Sequence, residues 1–461
     1  MPLKILLRAA RYVAATALLA AAAAVPAQTT EFALANGMRV IVREDHRAPT
    51  VVSMVWYRAG SMDEVNGSTG VAHVLEHMMF KGTKSVGPGE FSRMIAAAGG
   101  RDNAFTSRDH TGYFQQLEKS QLPLALRLEA DRMANLVLTE EEFAREIKVV
   151  MEERRWRTED RAQSLVHEQL MATAYTAHPY RHPVIGWMDD LRNMRFEDAK
   201  RWYDSWYAPN NAVLVVVGDV EPQAVRELAE RYFGPIPPRA LPERKPQVEP
   251  AQRGTKRVTV KAPAELPVTL LAWHVPVLRD PERDWEPYAL EMLAAVLNGN
   301  PAARLNRTLV RERRIAIGVG ASYDSTKRGP GLFLLSGTPA EGHTAAELEA
   351  ALRGEIERVA REGVTEEELR RVKAQVVAGQ VFQRDSIMAQ AMEIGGLEMA
   401  GLSWRTIDRQ LERLREVTAA QVQEVARRYF GDDGLTVATL DPQPLDRRKP
   451  AALPPGVRHG S

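Results

Sequence analysis

The stretch "HVLEHMMFKGT", from His73 to Thr83, places two of the chain's 10 histidines four residues apart, with a glutamate beside the second. In an α-helix such a pair differs by about 40° around the axis and one turn along it, so both imidazoles can face one ion. Glu76, at position i+3 from His73, lies on nearly the same face. Catalytic zinc takes three protein ligands and leaves a position for water, which the metal acidifies towards neutral pH. Two histidines are not enough, so a third ligand must come from elsewhere.

The helical, carboxylate-rich run "TEEEFAREIKVVMEERRWR", residues 139–157, is the obvious donor. Glu146 and Glu153 are almost two whole turns apart and share a face, with Phe143, Val149 and Val150 close enough to bury it. Glu152 is rotated about 100° from Glu153, so Glu153 is the expected ligand and Glu152 the alternative. Glu146, one layer along, would orient or polarise the ligands from behind. Glu76 then remains as general base, taking a proton from zinc-activated water as it attacks a carbonyl carbon and passing it to the leaving amine. Helical His pairs are commonly structural, and glutamate runs are commonly solvated faces. Here Val71, Val74, Leu75, Met78, Met79 and Phe80 flank the histidines, and an unpaired His-Glu-His cluster among them would be costly.

The elements around these residues follow from periodicity. "EFALANGMRVIVRED" and "TVVSMVWYRAGSMDE" alternate apolar and polar residues around an Asn-Gly turn, as two antiparallel strands should. Helical spacing covers about 70–79, 89–98, 121–136 and 139–157. "DNAFTSRDHTGYFQQL" returns to strand chemistry, and the strand "NAVLVVVGDV" precedes a helix over 222–233. Prolines and charges then mark a linker at 236–255. Beyond it the order repeats, with strands "KRVTVKAP" and "PVTLLAWHVP", a helix over 287–297, strands "IAIGVGASYDS" and "GLFLLSGTP", long helices and "GLTVATL". Two copies of one α+β unit, 28–235 and 256–445, give the simplest account, each an antiparallel sheet packed by helices. The second copy has no His-x-x-Glu-His, and 446–461 reads as a disordered tail.

Residues 1–27 read as a signal peptide: Lys4, Arg8 and Arg11 precede "YVAATALLAAAAA", and Val25 and Ala27 suit cleavage before Gln28. The expected location is a bacterial periplasm, with no stable membrane insertion once the leader is removed. With 461 residues the chain can hold two or more domains, and its net charge of +1 argues against nucleic acid as a partner. Zero cysteines exclude disulfides and thiolate metal sites. No Gly-x-Ser-x-Gly elbow or Gly-Lys-Ser/Thr phosphate loop is present.

"GSTGVAHVLEHMMFKGT", "GGRDNAFTSRDHTGYF", "EIKVVMEERR", "HPYRHPVIGW" and "NNAVLVVVGDV" together resemble the pitrilysin/insulinase family of metallopeptidases, the inverted zincins named for His-x-x-Glu-His. The third ligand in that family closes a run E-x-x-V-[VI]-x-x-E, which lands here on Glu146 and Glu153. The resemblance implies one zinc ion per chain, and two homologous α/β-sandwich-like units forming half of a clamshell that admits peptides or unfolded segments. It also implies substrate held by β-strand addition at "DNAFTS", with Asn103 and Ala104 on the substrate backbone and Phe80 lining the pocket after the cleaved bond.

The second half departs from that pattern. Active relatives carry an arginine and a tyrosine in a stretch like "LREKRGLAYSVSASY", where this chain has "LVRERRIAIGVGASY". Val310 and Ile317 occupy the two positions, and neither donates a hydrogen bond. Either Arg311 or Arg313 and Tyr323 substitute, or a homologous partner subunit supplies the pair. The second is the expectation: a heterodimer or dimer of heterodimers, with a homodimer as the alternative assembly. The rival function is a non-catalytic scaffold of the same fold within a larger complex.

Overall fold

The computed structural model describes residues 28–445, so the expected leader and tail lie outside the described residues. Asn36 and Gly37 turn β1 (Thr29–Ala33) into β2 (Arg39–Glu44), with Gly37 at φ 87°, the left-handed conformation that glycine adopts without strain. The first sheet also contains β3 (Thr50–Tyr57), β4 (Arg101–Thr106), β5 (Thr111–Glu118) and β6 (Ala212–Gly218), in the order β1-β2-β6-β3-β5-β4. The strands expected to pair directly, β2 and β3, are therefore not neighbours. Every residue of β6 is buried, so this wholly apolar strand takes a central place, parallel to β2 and antiparallel to β3.

The second sheet comprises β7 (Lys256–Pro263), β8 (Thr269–Val275), β9 (Ala316–Tyr323), β10 (Gly331–Pro339) and β11 (Leu435–Gln443), in the order β7-β11-β8-β10-β9. A parallel pair, β7 with β11, again leads into antiparallel neighbours and ends on the strand that follows the first long helix. Setting β1 aside, the two sheets match strand for strand. Each is mixed rather than purely antiparallel, because its last strand pairs in parallel with its first.

Helices α1 (Val71–Met78), α2 (Glu90–Ala97), α3 (Leu122–Asn135), α4 (Glu140–Arg154), α5 (Ala162–Ala174), α6 (Met188–Asn193), α7 (Phe196–Trp206) and α8 (Pro222–Tyr232) belong to the first half. The second half carries α9 (Glu286–Asn298), α10 (Ala345–Glu362), α11 (Glu366–Gln383), α12 (Ile387–Ala400), α13 (Ile407–Glu416) and α14 (Ala419–Tyr429). One face of the first sheet, with Val40, Val42, Val51 and Val55, packs on Val74 and Leu75 of α1 and Leu126 of α3. Its other face, with Ile41, Met54, Trp56 and Val215, joins a core that runs continuously into the second half. Among the described residues no helix is long and apolar enough to cross a membrane.

Two helices cross the division between halves in opposite directions. α5 places Val166, Leu170 and Ala174 against Ala262, Ala438 and Leu440 of the second sheet. α12 lies against β3 and β6 of the first, through Ala391 and Ile394. The proline-rich segment between halves has neither helix nor strand, yet it is pinned. The Asn36 amide donates to the carbonyls of Phe233 (2.8 Å) and Ile236 (2.9 Å), and the Glu249 carboxylate accepts the backbone N–H groups of Thr176, Ala177 and His178.

The α12 crossing tolerates no side chain at one point: a Cβ on Gly395 would stand 2.0 Å from the Trp56 ring, whereas one on Gly396 meets nothing within 4 Å. Gly395→Ala is expected to destabilise the protein by about 1–3 kcal/mol through overpacking. Gly396→Ala should gain up to about 1 kcal/mol from helix propensity. Denaturant unfolding of both variants checks the contrast.

Candidate metal centre

The helix that carries the histidines is fixed at its first turn. Gly70 precedes it at φ 88°, and a Cβ there would come within 2.6 Å of the Ile185 carbonyl oxygen. The buried Glu64 carboxylate accepts the N–H groups of Gly70 (2.8 Å) and Ala72 (2.9 Å), donors that the first turn leaves without helical partners. Burial pushes Glu64 up to about 8, against the opposing pull of those two N–H groups. Asp190 at the start of α6 holds Thr69 through backbone (3.1 Å) and hydroxyl (2.5 Å) contacts. All eight residues of α1 are buried.

α4 approaches α1 with Phe143, Glu146, Val150 and Glu153 as its buried stripe, the three- and four-residue spacing of a helix face. Val149, expected on that stripe, is 41% exposed, because it is rotated by a full 100° step from Val150. Glu152 points outward and pairs with Arg155, which removes it as the alternative ligand. The buried Arg154 forms a bidentate pair with Glu168 of α5, at 2.8 and 3.0 Å, and so ties the end of α4 to the next helix. Beyond Arg154 the chain widens into a π-helical turn, Arg155–Glu159.

Glu153 Oε2 lies 3.7 Å from His73 Nε2 and 3.2 Å from His77 Nε2, and one donor atom from each of the three residues falls within 4.8 Å of the others. Three donors about 2.1 Å from one tetrahedral centre stand about 3.4 Å apart, so the separations suit a zinc-sized cation. Two imidazole nitrogens and one carboxylate oxygen, all buried, are also the donor types that such a cation takes. Burial alone would raise Glu153; His77, His73 and Arg157 outweigh it and hold the carboxylate at about 2. Burial would likewise lower His77, but Glu146 and Glu153 raise it to about 9.

Glu146 accepts from His77 Nδ1 at 3.0 Å while its other oxygen meets Lys81 Nζ at 2.5 Å. Glu76 is buried beside the three, its Oε2 accepting the Thr106 hydroxyl at 2.5 Å. Burial raises Glu76 above the usual carboxylate range, and the Thr106 hydrogen bond opposes that only in part. A cavity of about 560 Å³ opens on His73, Glu76 and Glu153, with Ala104 and Thr106 of β4 in its wall. Among the described residues β4 pairs only with β5, so its other edge lies open along the sheet.

Of the expected substrate contacts, Ala104 lines the cavity, and its N–H is turned to the Asn103 side-chain oxygen at 2.9 Å. Asn103 is on the same edge strand but is not among the lining residues. Phe80 is not among them either: it packs on Phe91 and Tyr113, with the Arg132 guanidinium 5.1 Å from its ring centre. An aromatic just past the end of α1 is drawn into that core cluster.

Thr106, Lys81 and Arg157 are site residues that motif reading missed. Arg157 Nη1 reaches Glu153 Oε1 at 2.9 Å from the π-helical turn, and nothing in a helical pattern ending at 157 marks it. Strand alternation does put Thr106 on the same face as Ala104.

The second half brings none of its candidates here. Val310 packs on the core, Ile317 is 56% exposed, Arg311 and Arg313 are exposed, and the Tyr323 hydroxyl donates to the Pro276 carbonyl at 2.6 Å. Every residue lining the cavity falls between His73 and Ile185.

Comparison with known proteins agrees with this arrangement. Residues 39–186 match the family described as insulinase, peptidase family M16, and residues 193–376 match the peptidase M16 inactive domain. The chain is 31% identical over 418 residues to the zinc protease PqqE of Helicobacter pylori, covering 89% of this chain and 92% of that one. It is 30% identical to an uncharacterized zinc protease of Mycobacterium bovis, covering 94% and 97% respectively. A crystal structure of a protease from Helicobacter pylori superposes with a TM-score of 0.85 at 29% identity, over 90% of this chain and 100% of that one. The periplasmic protease PqqL of Escherichia coli shares the fold at 18% identity and a TM-score of 0.78, with this chain spanning 52% of it. Two matched sheets, the inverted His-x-x-Glu-His helix and these relatives lead to one assignment: the chain belongs to the insulinase family of peptidases, family M16.

Proposed function

We propose that the chain is the zinc-bearing half of a metalloendopeptidase that hydrolyses peptides or unfolded segments inside a closed chamber. The observation that carries this reading is the meeting of His73, His77 and Glu153 beside a buried, unligated Glu76, in a cavity walled by an open edge strand. Zinc bound there would supply Lewis acidity, lowering the pKa of water to about 7 and polarising the carbonyl under attack.

The protein's own groups do the remainder. Glu76, held by Thr106 and raised by burial, accepts the proton of the attacking water and delivers it to the departing amine nitrogen. Glu146 fixes the His77 ring through Nδ1, so that Nε2 faces Glu153. The open side of β4 adds an extended substrate as a further strand, with Asn103 and Ala104 along its backbone.

A homologous partner subunit without the zinc motif brings the arginine and tyrosine that Val310 and Ile317 replace, giving a heterodimer. Support comes from a cavity lined entirely by the first half and from the distance-fixed engagement of Tyr323 with Pro276. Export to the periplasm, with cleavage before Gln28 and units at 28–235 and 256–445 about the linker 236–255, completes the proposal. The scaffold reading is disfavoured by retention of the base together with all three metal donors.

Glu76→Gln should bind zinc as the wild type does while kcat falls about 10²–10⁴-fold, read by metal analysis and peptide hydrolysis. Glu146→Gln should weaken zinc binding about 10–100-fold, whereas Glu152→Gln leaves it unchanged, read by competition with a chelating dye. The isolated chain should hydrolyse unstructured peptides weakly and gain activity with the partner subunit; full activity from the chain alone would defeat the heterodimer.

A further inference from the structure

The cavity beside Glu76 separates its charges unevenly. Its acidic side is satisfied internally: Glu168 is held by Arg154, and Glu153 by His77 and Arg157. Arg108, in the turn between β4 and β5, lines the same cavity, and its Nε donates to the Tyr180 carbonyl at 3.3 Å. Among the described residues no carboxylate forms an ion pair with it. Asp109, next in sequence, is occupied by the Tyr180 hydroxyl and by the Arg328 backbone N–H at 3.1 Å.

Arg181, also lining the cavity, donates to the Thr176 carbonyl at 3.0 Å. Carbonyl oxygens satisfy donors without cancelling charge. His167 of α5 lines the cavity too, and the charges that act on it are Arg108 and Lys327, both positive. Burial lowers His167 first, and these two cations lower it further; burial likewise lowers Arg108. A guanidinium partly withdrawn from water, among apolar groups such as Met171, Val184 and Ile185 and with no carboxylate in contact, is costly, and the neighbouring Asp109, Tyr175 and Tyr180 offset its burial only in part. An anion arriving with the substrate would relieve that cost and would be bound in charge-assisted geometry.

We propose that Arg108, supported by Arg181 and His167, is a subsite for a peptide carboxylate, which makes acidic peptides the substrate class of this centre. The inference rests on the peptidase reading and adds a specificity determinant to it. Both an acidic side chain and a free C-terminus carry the required group.

The test uses the full chain bearing Glu76→Gln, loaded with zinc, and fluorescent peptides of one length read by anisotropy. One C-terminally amidated set carries Asp and Glu, a second Asn and Gln, a third Lys and Arg; a fourth is neutral with a free C-terminus. The acidic set is expected to bind about 10–100-fold more tightly than its amide counterpart, the span of a charge-assisted hydrogen bond. That preference should shrink with added salt, shrink in Arg108→Gln, and recover partly in Arg108→Lys. Selective binding of the fourth set identifies the terminal carboxylate as the source and also supports the subsite. Equal binding of the Asp/Glu and Asn/Gln sets with no gain in the set bearing a free C-terminus, or an unchanged preference in both Arg108→Gln and Arg181→Gln, overturns it. Hydrolysis by the protein without Glu76→Gln separates the two proposals. Cleavage of the amidated Asn/Gln peptides as fast as those carrying a carboxylate removes the subsite and leaves the peptidase, whereas carboxylate-dependent binding without cleavage of any peptide does the reverse.

Discussion

The contact between α1 and α4 is the constraint from which the site follows. Glu153 is only 1% exposed, and a carboxylate so far from water is stable only among positive or hydrogen-bonding partners. Two imidazoles from one helix face and Arg157 from the succeeding turn provide them. A second ring of contacts, Glu146 on His77 and Lys81 on Glu146, prevents the imidazole from turning away. The apolar pairing of Phe143 and Val150 with the α1 core brings these charges together, and the polar groups set how closely.

Around that contact the fold works by bracing rather than by enclosure. Glu64 and Asp190 hold the start of α1, and Arg154 holds the end of α4 to α5. Because α5 rests on the second sheet, the half without metal ligands still supports the half that has them. The two units are thus repeats in topology without being independent in packing. A continuous core that includes Trp56 of one sheet and Trp273 of the other makes the same point.

Much of this was legible from the residues, for identifiable reasons. His73, His77, Glu146 and Glu153 obey a single periodicity, and helix geometry alone projects them to one side. Val149 shows the limit of that reading, since one step of rotation moved it from core to surface. The repeat was visible in element order, but the placement of β6 between β2 and β3 was not, because alternation specifies a strand's faces and not its neighbours. Thr106 and Lys81 act across elements, and no local pattern marks a side chain whose partner lies on another element. Phe80 is placed at a substrate pocket by resemblance alone, and its ring packs on Phe91 and Tyr113. The crossing of α5 and α12 left no trace in sequence either, since an amphipathic helix declares that it needs a sheet but not which one.

That crossing bears on how the protein is made. Chains emerge from the ribosome with their N-terminal segments first. α5 finds part of its seat in β11, the last strand described, so part of its apolar face stays unsheltered until residues 435–443 have emerged. The brace behind Glu153 is finished only once residues 435–443 have been made, and a product truncated before them would carry every ligand yet lack the support that sets them.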